Sequence, residues 1–209
     1  MKRANYRIIF ALFVVILCVF YINTTREFSD SKSIIYSNEG NISLKPIHKV
    51  SYFNYPDQND VSFSTNNLND KVTVADFFFT GCPSICPDMM RHMRKLALDY
   101  KNNSDVQFLS ISVDPLNDTK SIINSYILRH QANFNNWYFL ESETSSIESL
   151  VTDGFLLSSD NLPGAHSTKF ILINSNAEIV GYYDPFLNEM DSNEMDKLKS
   201  DIDTLLELL

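Results

Sequence analysis

Two cysteines, Cys82 and Cys86, stand three residues apart in the stretch "FFFTGCPSICPDMM", in a chain of 209 residues with three cysteines in all. Three chemistries begin with such a pair: a structural disulfide, a dithiol–disulfide redox couple, and two thiolates on one metal ion. Residues 72–80, "VTVADFFFT", are β-branched and aromatic and predict a buried strand. After the pair, Met89, Met90, Met93, Leu96, Ala97 and Tyr100 recur at helical steps, with Arg91, Arg94 and Lys95 on the other face. The cysteines are therefore expected where a strand ends and a helix begins. Unsatisfied N–H groups and the positive end of the macrodipole favour a thiolate there. Pro83 and Pro87 stiffen the turn, and Pro87 suits the first helical turn. A C-x-x-x-C spacing admits all three chemistries, so the pair alone does not choose between them.

Two thiolates do not complete a metal site. Structural zinc takes four ligands, and Cu(I) accepts two or three soft ones. The chain has four histidines. His48 falls in a polar stretch, His92 on the polar face of the helix, and His130 at a helix end, and all three read as ordinary surface histidines. His166 differs, because "LPGAHSTKF" sets it in a loop immediately before a strand. In a thioredoxin-like sheet that loop faces the cysteine turn. Met89, Met90 and Met93 have soft thioethers, but at helical core spacing they read as core residues.

The elements that must position these groups follow from periodicity. Strands are expected at 72–80, 106–113 and 137–140, and a hairpin joins 169–173 to 178–184 through "NSNA". Helices are expected after the cysteines and near 121–129 and 145–152. A last helix is expected from about Asp191, with Glu194 as a capping-box partner and Met195, Leu198, Ile202, Leu205, Leu206 and Leu209 inward. This order predicts an α/β domain of thioredoxin-like fold: a central, mostly parallel sheet with a C-terminal β-hairpin and flanking helices.

Ahead of the domain, Lys2, Arg3 and Arg7 precede an apolar run over residues 8–22. That run spans roughly 22 Å, less than the ~30 Å hydrocarbon core, yet no small-residue cleavage site follows it. Residues 1–24 are read as an uncleaved membrane anchor or signal, 25–48 as a polar tether, and 49–209 as the domain. Cys18 then lies inside the anchor; Leu17 before it is too bulky for a lipidation site. Positive residues on the N-terminal flank place the domain on the extracytoplasmic side. The bacterial inner membrane facing the periplasm is the first reading and the mitochondrial inner membrane the second. A close cysteine pair there is bridged, actively kept reduced, or metal-bound. The formal net charge of −9 and the lack of a basic stripe exclude a nucleic-acid role.

Four blocks occur in order: "DFFFTGCPSICPDMM", "SISVDPLNDT", "GAHSTKFILI" and "EIVGYYD". Together they resemble the Sco/SenC family of copper-binding assembly factors for cytochrome c oxidase. The likeness covers roughly residues 50 to 185. It implies one copper ion, Cu(I) or Cu(II), held by Cys82, Cys86 and His166, with Asp114 near the site in a supporting role. It also implies the oxidase's copper-binding subunit, a copper donor chaperone and a thiol reductant as partners. Many family members carry Asp directly before the histidine where this chain has Ala165. That puts copper affinity and redox poise in question more than the ligand set.

Two functions fit the resemblance: a copper metallochaperone, and a thiol-disulfide oxidoreductase that keeps a partner's copper-ligand cysteines reduced. A peroxidase of the peroxiredoxin type fits poorly, because that class has Thr three residues before its reactive cysteine and Thr80 is two before Cys82. A structural disulfide is the plainest alternative.

Overall fold

The structure is a computed structural model and describes residues 34–36, 42–159, 162–163, 167–189 and 192–209. The chain divides into two units, Met1–Ile42 and Ser43–Leu209. Of the first, the short strand Ile34–Tyr36 is described. The anchor expected at 1–24 lies outside the described residues. Among the described residues no helix is long and apolar enough to cross a membrane.

Apart from the short pair Asn188–Glu189 and Ser192–Asn193, the second unit is built on a six-stranded sheet and one separate hairpin. In chain order its strands are β1 (His48–Lys49), β2 (Asn54–Pro56), β3 (Ser62–Ser64), β4 (Val72–Phe78), β5 (Val106–Ser112), β6 (Trp137–Leu140), β7 (Phe170–Ile173) and β8 (Glu178–Tyr183). β2 and β3 form the separate hairpin, and the main sheet has the order β1-β8-β7-β4-β5-β6. Helices α1 (Ile85–Asp99), α2 (Lys120–Arg129) and α3 (Glu194–Leu206) follow β4, β5 and β8.

Alternation along the strands sorts two cores onto the two faces. Val72, Val74 and Phe78 join Phe108, Trp137, Phe139 and the inward residues of α1, α2 and α3 in one cluster. Ala75, Phe77, Leu109 and Ile111 join the β2–β3 hairpin and Leu150, Val151 and Phe155 in the other. Every residue of β4 and β5 is buried, as expected of central strands covered on both faces.

The sheet is mixed, not mostly parallel. β4 pairs β5, and β5 pairs β6, in parallel. β7 runs antiparallel to β4, β8 to β7, and β1 to β8. Among the described residues between β6 and β7 the chain forms only the single turn Ile147–Ser149 and the wider π-type turn Leu150–Gly154. Neither is long enough to carry the chain back along the sheet. β7 therefore starts at the end where β6 stops and runs the opposite way.

The last helix also starts later than the sequence suggests. Asn193 caps it, its side-chain oxygen accepting from the Met195 N–H at 3.0 Å. Asp191, the expected start, lies outside the described residues. Leu198, Ile202 and Leu205 face inward as expected, whereas Leu209 is exposed. Asp201 is also buried, accepting from the Tyr183 hydroxyl at 2.6 Å and from Lys197.

Candidate metal centre

Phe78 closes β4 and Ile85 opens α1, so Cys82 lies in the intervening turn and Cys86 in the first helical turn. Cys86, Met89, Met90 and Met93 share the inward stripe of α1, and all four are buried. The stripe explains the difference between the two cysteines: Cys86 is 2% exposed, while Cys82, outside the helix, keeps partial access to solvent. No disulfide joins the two. The three methionines sit in the core, as their spacing predicts.

The Cys86 backbone N–H donates to Cys82 Sγ at 3.4 Å. Partial burial works against charge on Cys82. Hydrogen bonds from the backbone of Cys86 and Ser84, the Cys86 thiol and the Ile85 backbone more than offset it, and the pKa falls below the ordinary thiol value. At Cys86 burial dominates and drives the pKa strongly upward, against a hydrogen bond from the Phe79 backbone. The outer sulfur is thus the more readily ionised of the two, and burial holds the proton on the inner one.

The turn is held from below by Asp118. This carboxylate is 0% exposed. It accepts from the Thr80 N–H at 3.1 Å, from the Thr80 hydroxyl at 2.5 Å and from the Ser112 hydroxyl at 2.6 Å. It ties the exit of β4 to the end of β5 two residues before Cys82. Asp114, expected near the site, has both carboxylate oxygens accepting from the Asn117 side chain at 2.9 Å. Asp118 precedes Thr119 at the start of α2, where it resembles an ordinary helix-start residue; nothing local points to Thr80, 38 residues away.

A second carboxyl lies deeper. Asp76 interrupts the apolar run of β4, and its side chain shares the helix-facing side with Val74 and Phe78. Ser110 donates to it at 2.6 Å, and the Trp137 indole N–H donates to Ser110 at 3.0 Å. Burial, partly opposed by the Ser110 bond, pushes its pKa up to about 7.

The other sequence candidates are spread widely. His48 lies in β1 opposite Ile179 of β8, and its ring bonds the Asp153 carbonyl at 2.8 Å. His92 packs edge-on to Phe186, and His130 caps α2 beside the Tyr126 ring. Ala165 and His166 lie outside the described residues. Among the described residues no three His, Cys, Asp or Glu side chains cluster as a metal site. The register of β7 on β4 nevertheless runs Thr73 opposite Ile173 to Ala75 opposite Ile171, so Phe170 lies toward the cysteine end. Ser167–Lys169 lead into β7 at that end, directly after His166 in the chain.

The chain is similar to known proteins in sequence and fold. The SCO1 protein homolog of Bacillus subtilis is 30% identical over 161 residues, covering 74% of this chain and 81% of that protein. The structure of BsSco, described as a member of the Sco family of cytochrome c oxidase assembly proteins with a disulfide switch, superposes with a TM-score of 0.65. It is 28% identical and is matched over 79% of this chain and 98% of its own. Arabidopsis thaliana ScoI, solved with copper bound, shares the fold at a TM-score of 0.60 and 23% identity, over 77% of this chain and 99% of that one. The family described as SCO1/SenC matches residues 43–202. The chain belongs to the SCO1/SenC family.

Proposed function

We propose that the chain carries copper to cytochrome c oxidase during its assembly, with Cys82, Cys86 and His166 as ligands. One observation carries the reading: two thiols that no disulfide joins stand at the carboxyl end of β4, and β7 begins at that same end, four residues after His166. Two thiolates and an imidazole suit Cu(I), and an added oxygen ligand admits Cu(II). Cys82, at the surface, is the first sulfur a donor or acceptor protein can reach, and a three-ligand site leaves room for the incoming ligand of a partner. Asp118 fixes the turn, so the outer sulfur is presented without reordering the backbone. In this reading residues 1–24 anchor the domain on the extracytoplasmic side. Its partners are the copper-binding subunit of the oxidase, a copper donor chaperone and a thiol reductant.

The contrast between the sulfurs favours a second role on the same residues. A half-exposed thiol of lowered pKa beside a buried one of raised pKa is the arrangement of a nucleophile and a resolving thiol. Reduction of the partner's cysteines therefore stands beside copper delivery. Both uses require the dithiol state, since a Cys82–Cys86 disulfide removes the thiolates that hold the metal.

His166→Ala separates the two. Competition titration with a Cu(I) chelator should show affinity falling by more than the roughly 10–100-fold that loss of an outer-shell partner costs. X-ray absorption should show one nitrogen neighbour fewer. Disulfide reduction should need both cysteines and be indifferent to His166. Unchanged Cu(I) affinity in the variant would sink the three-ligand site.

A further inference from the structure

β4 and β5 pair in parallel from Val72 opposite Val106 to Phe78 opposite Ser112, and the Val113 N–H bonds the Phe78 carbonyl at 2.9 Å beyond the last pair. Backbone alone therefore joins these strands over their full length. The Asp118 carboxylate acts just past that ladder. Both of its oxygens accept from the Thr80 N–H at 3.1 Å. One also accepts from the Thr80 hydroxyl at 2.5 Å, and the other from the Ser112 hydroxyl at 2.6 Å. Asp118 is itself anchored, because its N–H bonds the Asp114 carbonyl at 2.8 Å and the Asp114 N–H donates to the Ser112 hydroxyl at 3.1 Å. A carboxylate taken wholly out of water carries a desolvation cost that only well-formed bonds offset. The ladder is complete without it, so its effect falls on the chain that leaves β4 for Cys82.

Little covers that chain from outside. Gly81, Pro83 and Ser84 are exposed, and among the described residues a side chain at Gly81 would meet only the Phe79 ring, at 3.8 Å. Beyond Thr80 the Cys82 N–H bonds the Phe79 carbonyl at 3.3 Å, and Cys82 Sγ accepts the Cys86 N–H at 3.4 Å. The fixed points thus run from Asp118 through Thr80 and the Phe79–Cys82 turn to the outer sulfur, which rests on the first turn of α1. Valine would fill the space of Thr80 equally well, so the reason for a hydroxyl there is its bond to Asp118.

We propose that Thr80 is a positioning residue for the cysteine pair: its hydroxyl, held on Asp118, keeps Cys82 Sγ against the start of α1 so that the two sulfurs act together. The proposal deepens the reading of Cys82 and Cys86 as a pair and rests on it. Holding two groups in place raises the effective concentration of each for the other. A step that uses both sulfurs at once gains from this, and a step that uses Cys82 alone does not. Closing the pair into a disulfide is a step of the first kind. In exchange with oxidised glutathione, one bond forms between Cys82 Sγ and Cys86 Sγ and one glutathione S–S bond breaks. The pair gives up two electrons and two protons, and two glutathione thiols leave carrying them.

The test equilibrates the copper-free full chain with mixtures of reduced and oxidised glutathione at one pH. Alkylation and peptide mapping then count the disulfide at Cys82 and Cys86. Thr80→Val keeps the shape and removes the hydroxyl, so the equilibrium constant for the Cys82–Cys86 disulfide should fall roughly tenfold, the scale of one hydrogen bond to a charged group. Thr80→Ser keeps the donor and should match wild type. In a Cys86→Ala background Cys82 forms only a mixed disulfide with glutathione, and that constant should be the same with Thr80 or valine. An unchanged Cys82–Cys86 constant in Thr80→Val overturns the proposal. So does a fall in Thr80→Ser as large as in Thr80→Val, or an equal fall in the mixed disulfide, which would place the effect on Cys82 alone. A wild-type chain that forms no Cys82–Cys86 disulfide sinks the paired reading itself, and the role of Thr80 with it. With no copper present, the outcome is independent of whether His166 binds the metal.

Discussion

Asp76 shows how one residue can bring a titratable group into a core. Its carboxyl sits in a fully buried strand with a single hydrogen bond, from Ser110, and burial raises its pKa from 3.8 to about 7. The folded chain thus holds this proton more tightly than the unfolded chain. Its stabilising effect is complete below the unfolded value and is lost as pH rises through about 7. Asp76→Asn keeps an acceptor for Ser110 and removes the charge. Denaturant unfolding should find the variant more stable than wild type by about 2–4 kcal/mol near pH ~8, with the gain shrinking toward pH ~4. A gain of equal size at both ends would contradict a buried, titrating carboxyl.

At the scale of elements, the edge strand β6 has its outer side covered by a side chain. Gln58 donates through Nε2 to the Trp137 carbonyl at 2.9 Å and accepts at Oε1 from the Phe139 N–H at 2.8 Å. The Glu141 N–H bonds the Pro56 carbonyl at 3.1 Å, and Asp57 bridges Leu140. The amide thus imitates one residue of a neighbouring strand and blocks edge-to-edge pairing. Gln58→Ala should cost about 1–2 kcal/mol, from two weakened hydrogen bonds. It should also raise self-association at high concentration, read by light scattering. A variant that stays monomeric with unaltered stability would show that the cap is incidental.

At the scale of the whole molecule, one sheet separates two cores, and β4 and β5 contribute to both. All of these core residues lie within Ser43–Leu209. A chain beginning at Ser43 should therefore unfold in one cooperative step. Far-ultraviolet dichroism follows the helices, and fluorescence follows Trp137, which is 0% exposed at the centre of the helix-side core. The two transitions should coincide. Separate midpoints would mean that the two faces of the sheet melt independently.

Much of the site was legible in the chain because its signals are local. The strand before Cys82, the helix after Cys86 and the inward methionine stripe follow from periodicity over a few residues. The family follows from four short blocks, and the match over residues 43–202 agrees with it. Two features were not legible. β7 runs antiparallel to β4, and among the described residues between β6 and β7 no helix is long enough to carry the chain back. Asp118 braces the turn before Cys82 through Thr80 and Ser112, which lie on two other segments. Residue types and their local periods were enough to place the two thiols and the strand and helix that carry them. Which groups brace and serve those thiols was decided by tertiary structure alone, because a hydrogen bond between residues tens of positions apart leaves no local pattern to read.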